Sequence, residues 1–228
     1  MNEGLFRLRV HYVKHDRLRY LGHLEVLGTI DRCVRRSGLP FDVTNGFSPR
    51  MRMQFSSALP VAAASDCEWY DLFLREKVDE AAAFSALLGS TPADLAPVRA
   101  GYVSTKLPAI ESWLTRMRWT VDVSGIEPGA LDAAIGTVRD EGSITYLRGT
   151  KEKTVDLGPT LVGWACERRE GGTLVTLDTR TTPTGSLRSS LLVTTALDRM
   201  GASPDTMLSV CRRGQWGEED GRLVEPLG

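Results

Sequence analysis

The three histidines of the chain, His11, His15 and His23, are confined to its first 23 residues, and Arg17 and Arg19 stand between the last two in the stretch "RLRYLGH". A neutral imidazole at such a place can act as general base on a ribose 2′-hydroxyl or on a phosphoryl substrate. His23 opens a helix in the reading below, and the positive end of a helix dipole favours the uncharged ring. His23 and His15 are therefore the candidate catalytic residues, for a metal-independent cleavage of RNA. A structural reading of His23 stands beside this one. Its helical angle lies between those of Ile30 and Val34, on the apolar side, where a partly buried histidine would tie the turn to the helix. A second basic stretch, "NGFSPRMR" at 45–52, supplies Arg50 and Arg52. There Gly46 provides a positive-φ turn and Pro49 stiffens the entry to a strand.

Other constellations fail on spacing. Glu25 and Asp31 are six residues apart and would point about 120° away from each other on a helix, so they do not make a metal pair. Asp31 lies four residues before Arg35, which explains it as an ion pair across one turn. "NGFSPR" has one glycine where a phosphate loop needs GxxxxGK[ST], and "LGPTLVG" lacks the lysine. With no histidine after His23, most nucleophile–base triads are excluded. Cys33, Cys67, Cys166 and Cys211 lie at least 34 residues apart with no CxxC pair. That spacing argues against zinc, an iron–sulfur cluster or a disulfide scaffold, and implies reduced, mostly buried thiols with no metal and no cofactor.

The bulk composition is that of an ordinary globular protein. Lys plus Arg number 28 against 29 Asp plus Glu, so no global field drives the chain onto nucleic acid or an anionic membrane. The distribution is uneven: residues 1–57 hold ten Lys/Arg and five Asp/Glu, which makes the first quarter basic and the rest mildly acidic. No run of about 18 apolar residues is present, and the first residues lack the charged and apolar regions of a secretory signal, so a cytoplasmic location is expected.

These residues must be positioned by regular elements, and the hydrophobic period names them. In "LFRLRVHYV" Phe6, Leu8, Val10 and Tyr12 alternate with Arg7, Arg9 and His11, a half-buried strand with a basic outer face. Residues 22–37 take helical spacing, with Leu24, Leu27, Ile30 and Val34 on one side, and Gly38 and Pro40 end the helix. "RMRMQF" at 50–55 is a second basic strand, 66–76 a third, 79–88 a helix and 98–103 a fourth strand. The order is βαββαβ, the split βαβ arrangement. The proline-containing connection "KLPAIESW" at 106–113 marks a boundary. Beyond it the order repeats: a strand at 115–123 with Met117, Trp119, Val121 and Val123 on one face, a helix at 128–138 with Pro128 near its start, strands at 143–148, 161–169 and 173–179, a helix at 186–200 and a strand at 206–213. The expected fold is α+β, with two ferredoxin-like halves in tandem over 1–105 and 114–214, followed by a loose polar tail at 215–228.

The segments "LRYLGHLEVL" (18–27), "RRSGLP" (35–40) and "TNGFSPRMRMQFSSALPVAAASDCEWYD" (44–71) together resemble the bacterial radical SAM-linked proteins, a domain of unknown function (number 2344). The resemblance is specific over roughly the first 75 residues. Gly22 stands where the family has serine, Glu25 where it has aspartate, and Arg50 with Met51 where it has a basic residue and proline. The resemblance implies a radical SAM protein as partner. It does not imply that this chain is the radical enzyme, since it lacks a CxxxCxxC cluster. The duplicated ferredoxin-like order also looks like the RNA-binding and RNA-cleaving RAMP proteins of the Cas6 type.

In a ferredoxin-like sheet the strands run in the order four, one, three, two, with both helices on one face. Arg7, Arg9, His11, Arg50, Arg52 and Arg99 would then project from the uncovered face, with Trp69 and Phe73 in the same plane. Cations interleaved with aromatics on an open sheet suit single-stranded RNA, the cations pairing phosphates and the rings stacking on bases. The expectation is a non-catalytic accessory protein that works with a radical SAM enzyme and binds or presents RNA through that face. A metal-independent endoribonuclease of RAMP type using His23 or His15 is the alternative, and a protein-only docking module is a second. Packing of the open faces on each other would leave the arginines as rim or ion pairs.

Overall fold

The computed structural model describes residues 4–227. It is a mixed α+β, sheet-dominated protein whose chain divides into two compact units: the part up to Leu114 together with the segment from Gly217 onward, and Thr115–Trp216.

In the first unit the elements are β1 (Phe6–Lys14), α1 (His23–Ser37), β2 (Met53–Phe55), β3 (Ala64–Leu74), α2 (Glu80–Ser90), β4 (Pro97–Val103) and the short α3 (Ile110–Trp113). β1 pairs antiparallel with β3 on one side and β4 on the other, and β3 pairs with β2, giving the lateral order β4-β1-β3-β2. Strand alternation sorts the sheet. Leu8, Val10 and Tyr12 of β1, with Tyr70, Leu72 and Leu74 of β3, form the core with Val26, Ile30 and Val34 of α1 and Ala83 and Leu87 of α2. α1 starts at Gly22, whose N–H donates to Glu25 Oε2 at 2.7 Å, and ends at Gly38 in the left-handed conformation. Glycine has no side chain to return that bond, so Glu25 supplies the cap alone. At α2 the Asp79 carboxylate accepts from the Ala82 N–H at 3.0 Å.

β2 is shorter than the 50–55 strand expected from alternation. The Arg52 N–H donates to the Asp42 carbonyl and Val43 bridges Met51, so residues 50–52 bond to the near side of their own loop.

In the second unit the elements are β5 (Arg116–Ser124), α4 (Pro128–Asp140), β6 (Ser143–Arg148), β7 (Lys151–Asp156), α5 (Leu157–Thr160), β8 (Leu161–Arg169), β9 (Gly172–Thr182), β10 (Gly185–Ser186), α6 (Ser189–Arg199) and β11 (Leu208–Glu219), whose end runs past Trp216. β9 pairs with β8 and β10 along one edge and with β5 along the other, and β5 pairs with β11. β6 and β7 stand apart as a hairpin. Met117, Trp119, Val121 and Val123 are all buried, with Val175 and Leu177 of β9 and the inner faces of α4 and α6. Among the described residues no helix is long and apolar enough to cross a membrane.

The expected loose tail is a correction. The end of β11 pairs with β12 (Arg222–Val224), and Leu227 is buried with Trp69, Ile110 and Leu114. The physical reason is that one leucine behind an acidic stretch carries enough apolar area to hold the segment down once a sheet face is available to receive it.

Candidate functional site

Arg7, Arg9 and His11 lie on the face of β1 opposite the helices, as alternation requires, with Trp69, Asp71 and Phe73 of β3 across the ladder. That face is not open. Arg7 is 2% exposed and Arg9 1%, and Trp69, Asp71 and Phe73 are equally enclosed. The Asp71 carboxylate takes Arg7 Nε and Nη2 on Oδ2 at 2.8 and 2.5 Å, and Arg9 Nε on Oδ1 at 2.8 Å. Arg9 Nη2 donates to Asp71 Oδ2 at 3.0 Å as well, and Arg7 Nη2 to Gln54 Oε1 at 3.2 Å; backbone carbonyls take further hydrogens, from Arg7 at Leu107 (2.7 Å) and Pro108 (2.8 Å) and from Arg9 at Pro226 (3.0 Å). The Arg9 guanidinium also lies 5.6 Å from the Trp113 ring. The expectation that Arg7, Arg9, Trp69 and Phe73 project to solvent is therefore corrected. The segment 107–114 and the tail at 225–227 cover this face, and their backbone carbonyls act with the Asp71 carboxylate and the Gln54 side chain as acceptors for the two guanidiniums.

Toward the other end of β1 the face is only partly covered. The His11 ring stacks on Trp69 with centroids 4.5 Å apart, and its Nε2 donates to the Asp66 carbonyl at 2.8 Å. Burial holds the His11 pKa below its ordinary value, with the nearby Arg99 charge acting in the same direction. Arg99 is exposed, 3.5 Å from Glu225 and 5.5 Å from the Trp69 ring. Asp66 also engages His15: Nε2 of the imidazole lies 2.8 Å from Oδ1, with both side chains about two-fifths exposed. A histidine oriented by a carboxylate and open to solvent has the chemistry of a general base. His23 has no such partner among the contacts described. It is half-buried and meets the Phe55 ring edge-on at 6.4 Å, which fits its structural reading.

The signature segments converge elsewhere. The start of α1 (Leu24, Leu27, Gly28) and the segment from Pro49 to Phe55 line a groove of about 490 Å³, with Asp31 and Arg35 at its end. Leu24, expected on the core side of the helix, is 80% exposed here, and Val26 takes the buried position. Phe47, at the tip of the Gly46 loop, is fully exposed, and Tyr20 and Val61 are exposed as well. The loop is closed by Thr44, whose N–H donates to the Arg50 carbonyl at 2.8 Å while its Oγ1 accepts from the Arg50 N–H at 3.0 Å. Arg17 and Arg50 are exposed, and Arg19 lies 5.0 Å from the Tyr20 ring. Arg52 is held by Asp42 at 2.9 Å, and Arg35 by Asp31 at 2.7 Å.

Thus the twelve residues singled out from sequence separate into three places: Arg7, Arg9, Trp69 and Phe73 inside; His11, His15 and Arg99 at the partly open end of that face; Arg17, Arg19, His23, Arg50 and Arg52 around the groove and the turn before it. Asp66, Asp71, Leu24 and Phe47 were not singled out. The presence of Asp66, Glu68 and Asp71 within an otherwise apolar strand was the available signal for the first two, because a charge inside a strand of that kind needs a partner.

Residues 7–189 match the family described as "Uncharacterized protein conserved in bacteria (DUF2344)". The chain belongs to this family. The match spans both units of the DUF2344 chain, beyond the first 75 residues that carried the resemblance in sequence. Comparison of this DUF2344 member with curated proteins gives no match. A crystal structure of an unknown protein from Galdieria sulphuraria aligns with 91% of this chain and 98% of its own at 13% identity, with a TM-score of 0.28, too low to carry an argument about fold.

Proposed function

We propose that the protein is a non-catalytic accessory module that docks on a radical SAM enzyme through the groove between α1 and the Gly46 loop. One observation carries this: Leu24 stands 80% exposed on the groove wall and Phe47 is exposed on the loop that leads into its other wall at Pro49, both in the segments that resemble the radical SAM-linked proteins. Large apolar side chains exposed on the walls of a groove are a recurrent mark of a protein contact. Arg50 adds an exposed cation to the groove wall, so the segment that fills the groove is apolar with an acidic flank. RNA contact through Arg7, Arg9, Trp69 and Phe73 is not part of the proposal, since those side chains are enclosed. The tandem ferredoxin-like reading is supported by the orders β4-β1-β3-β2 and β8-β9-β5-β11, which are the same serial pairing with the β6–β7 hairpin inserted in the second.

Co-purification with a radical SAM protein from the same genome is the test. The wild type should retain it, and Leu24→Asp with Phe47→Asp should lose it while the fold is kept. A complex unaffected by that pair, or no complex with the wild type, removes the proposal.

A second reading is favoured by the His15–Asp66 contact. A metal-independent endoribonuclease would use His15 as base, oriented by Asp66, with Arg17 and Arg19 on the following turn to meet phosphate.

A further inference from the structure

The second unit neutralises most of its surface arginines in place. Arg118 pairs with Asp178, Arg139 with Asp140, Arg168 with Glu127, Arg169 with Asp122 and Arg199 with Glu141. One cavity of about 240 Å³ departs from this: Arg148, Lys153 and Arg188 line it, and no Asp or Glu does.

Strand geometry explains how the cations meet. In the β6–β7 hairpin Tyr146 faces Lys153 and Arg148 faces Lys151, on the same side as the buried pair Ile144 and Val155. The hairpin therefore presents an apolar base and a cationic tip on one face. The other wall is the segment from Thr184 to Arg188, where Ser186 adds a hydroxyl and the Arg188 guanidinium lies 5.7 Å from the Tyr146 ring. Three cations in one concavity repel each other, and in a chain of net charge −1 nothing global requires them to gather. An anion in the cavity removes that repulsion and takes charge-assisted hydrogen bonds from each.

We infer that this cavity is a phosphate site, in which Arg148, Lys153 and Arg188 bind the phosphoryl group of a small phosphate ester and Tyr146 and Ser186 donate hydroxyls. Its size suits a phosphoryl group with a sugar-sized remainder. RNA offers the same phosphoryl chemistry, and the test separates the two sources. The inference is independent of the docking groove, which lies in the other unit.

The full chain is titrated calorimetrically with inorganic phosphate, ribose 5-phosphate, ribose and a short single-stranded RNA. Inorganic phosphate and ribose 5-phosphate should bind saturably at one site and compete, and ribose should give no heat. Arg148→Ala with Arg188→Ala should weaken binding at least about ten-fold, while Arg139→Ala with Arg168→Ala leaves it unchanged. All four residues are exposed, and Lys153→Gln gives a third reading of the site with a minimal change of shape. RNA binding that inorganic phosphate displaces would assign the phosphoryl group to RNA. Absence of saturable phosphate binding, or equal loss in the control pair, overturns the inference.

Discussion

Arg9 and Asp71 face each other across β1 and β3, with Nε 2.8 Å from Oδ1 and both side chains shut away from solvent. Because the same carboxylate also holds Arg7, Asp71→Asn leaves two buried guanidiniums with no counter-charge. Loss of one partner from a buried ionic cluster costs about 3–5 kcal/mol, and that loss of unfolding free energy is expected in urea titration. Arg9→Met removes one of the two cations and leaves a satisfied Arg7–Asp71 pair, so it should cost clearly less. A cost under about 1 kcal/mol for Asp71→Asn would show that the cluster is not sealed from water.

This cluster also marks where the sequence stopped being legible. Alternation separated Leu8, Val10 and Tyr12 from Arg7, Arg9 and His11 correctly, because a strand has only two faces. It could not say what lies over the second face. The covering residues, Leu107, Pro108, Trp113 and Pro226, come from 100 residues or more away from Arg7 or Arg9, and most of the bonds they make are through backbone carbonyls that any residue type carries. β7 escaped for a related reason: "KEKTVD" has a single buried side chain, Val155, and pairs through its backbone with β6. The groove was half legible. "NGFSP" was readable as a turn, but the exposure of Leu24 and Phe47 depends on how α1 rotates to bury Val26, and the moment of a helix fixes that angle only to within a residue.

Leu227, buried with Trp69, Ile110 and Leu114, also lies over Gly101 of β4, which has no side chain in the way. A Cβ at Gly101 would lie 3.2 Å from Leu227 Cδ2. Leu227→Ala should cost about 2 kcal/mol through lost burial, and Gly101→Ala should also destabilise by crowding that leucine. In the double variant the crowding is gone, so the two costs should fall short of adding. Strict additivity in thermal or urea unfolding would mean that Leu227 does not rest on β4.

His11 gives the fold a pH dependence. Its pKa is lowered in the folded chain by burial first and by Arg99 second, from an ordinary value of 6.5. The unfolded chain therefore takes up the proton first as pH falls. Stability from this group is intact above 6.5 and is lost progressively below it, down to the depressed folded value. Melting temperatures between pH 7.5 and 5 should fall for the wild type and fall less for His11→Gln, which stays uncharged throughout. Parallel curves for the two proteins would remove His11 as the cause.

The His15–Asp66 contact allows the accessory and nuclease readings to be separated without knowing the partner. A docking module needs no chemistry from His15, so labelled single-stranded RNA incubated with the wild type and EDTA should remain intact. If instead it is cleaved, His15→Ala should abolish cleavage, and Asp66→Asn should lower it by a smaller factor, since the aspartate orients the ring and does not take the proton from substrate. His23→Ala should leave that cleavage standing, because His23 meets Phe55 edge-on and no carboxylate orients it among the contacts described. Cleavage that survives His15→Ala would place the activity in a contaminant or another site, and cleavage lost equally in His15→Ala and His23→Ala would point to a shared structural effect of the turn between β1 and α1. Intact RNA with the wild type removes the nuclease reading.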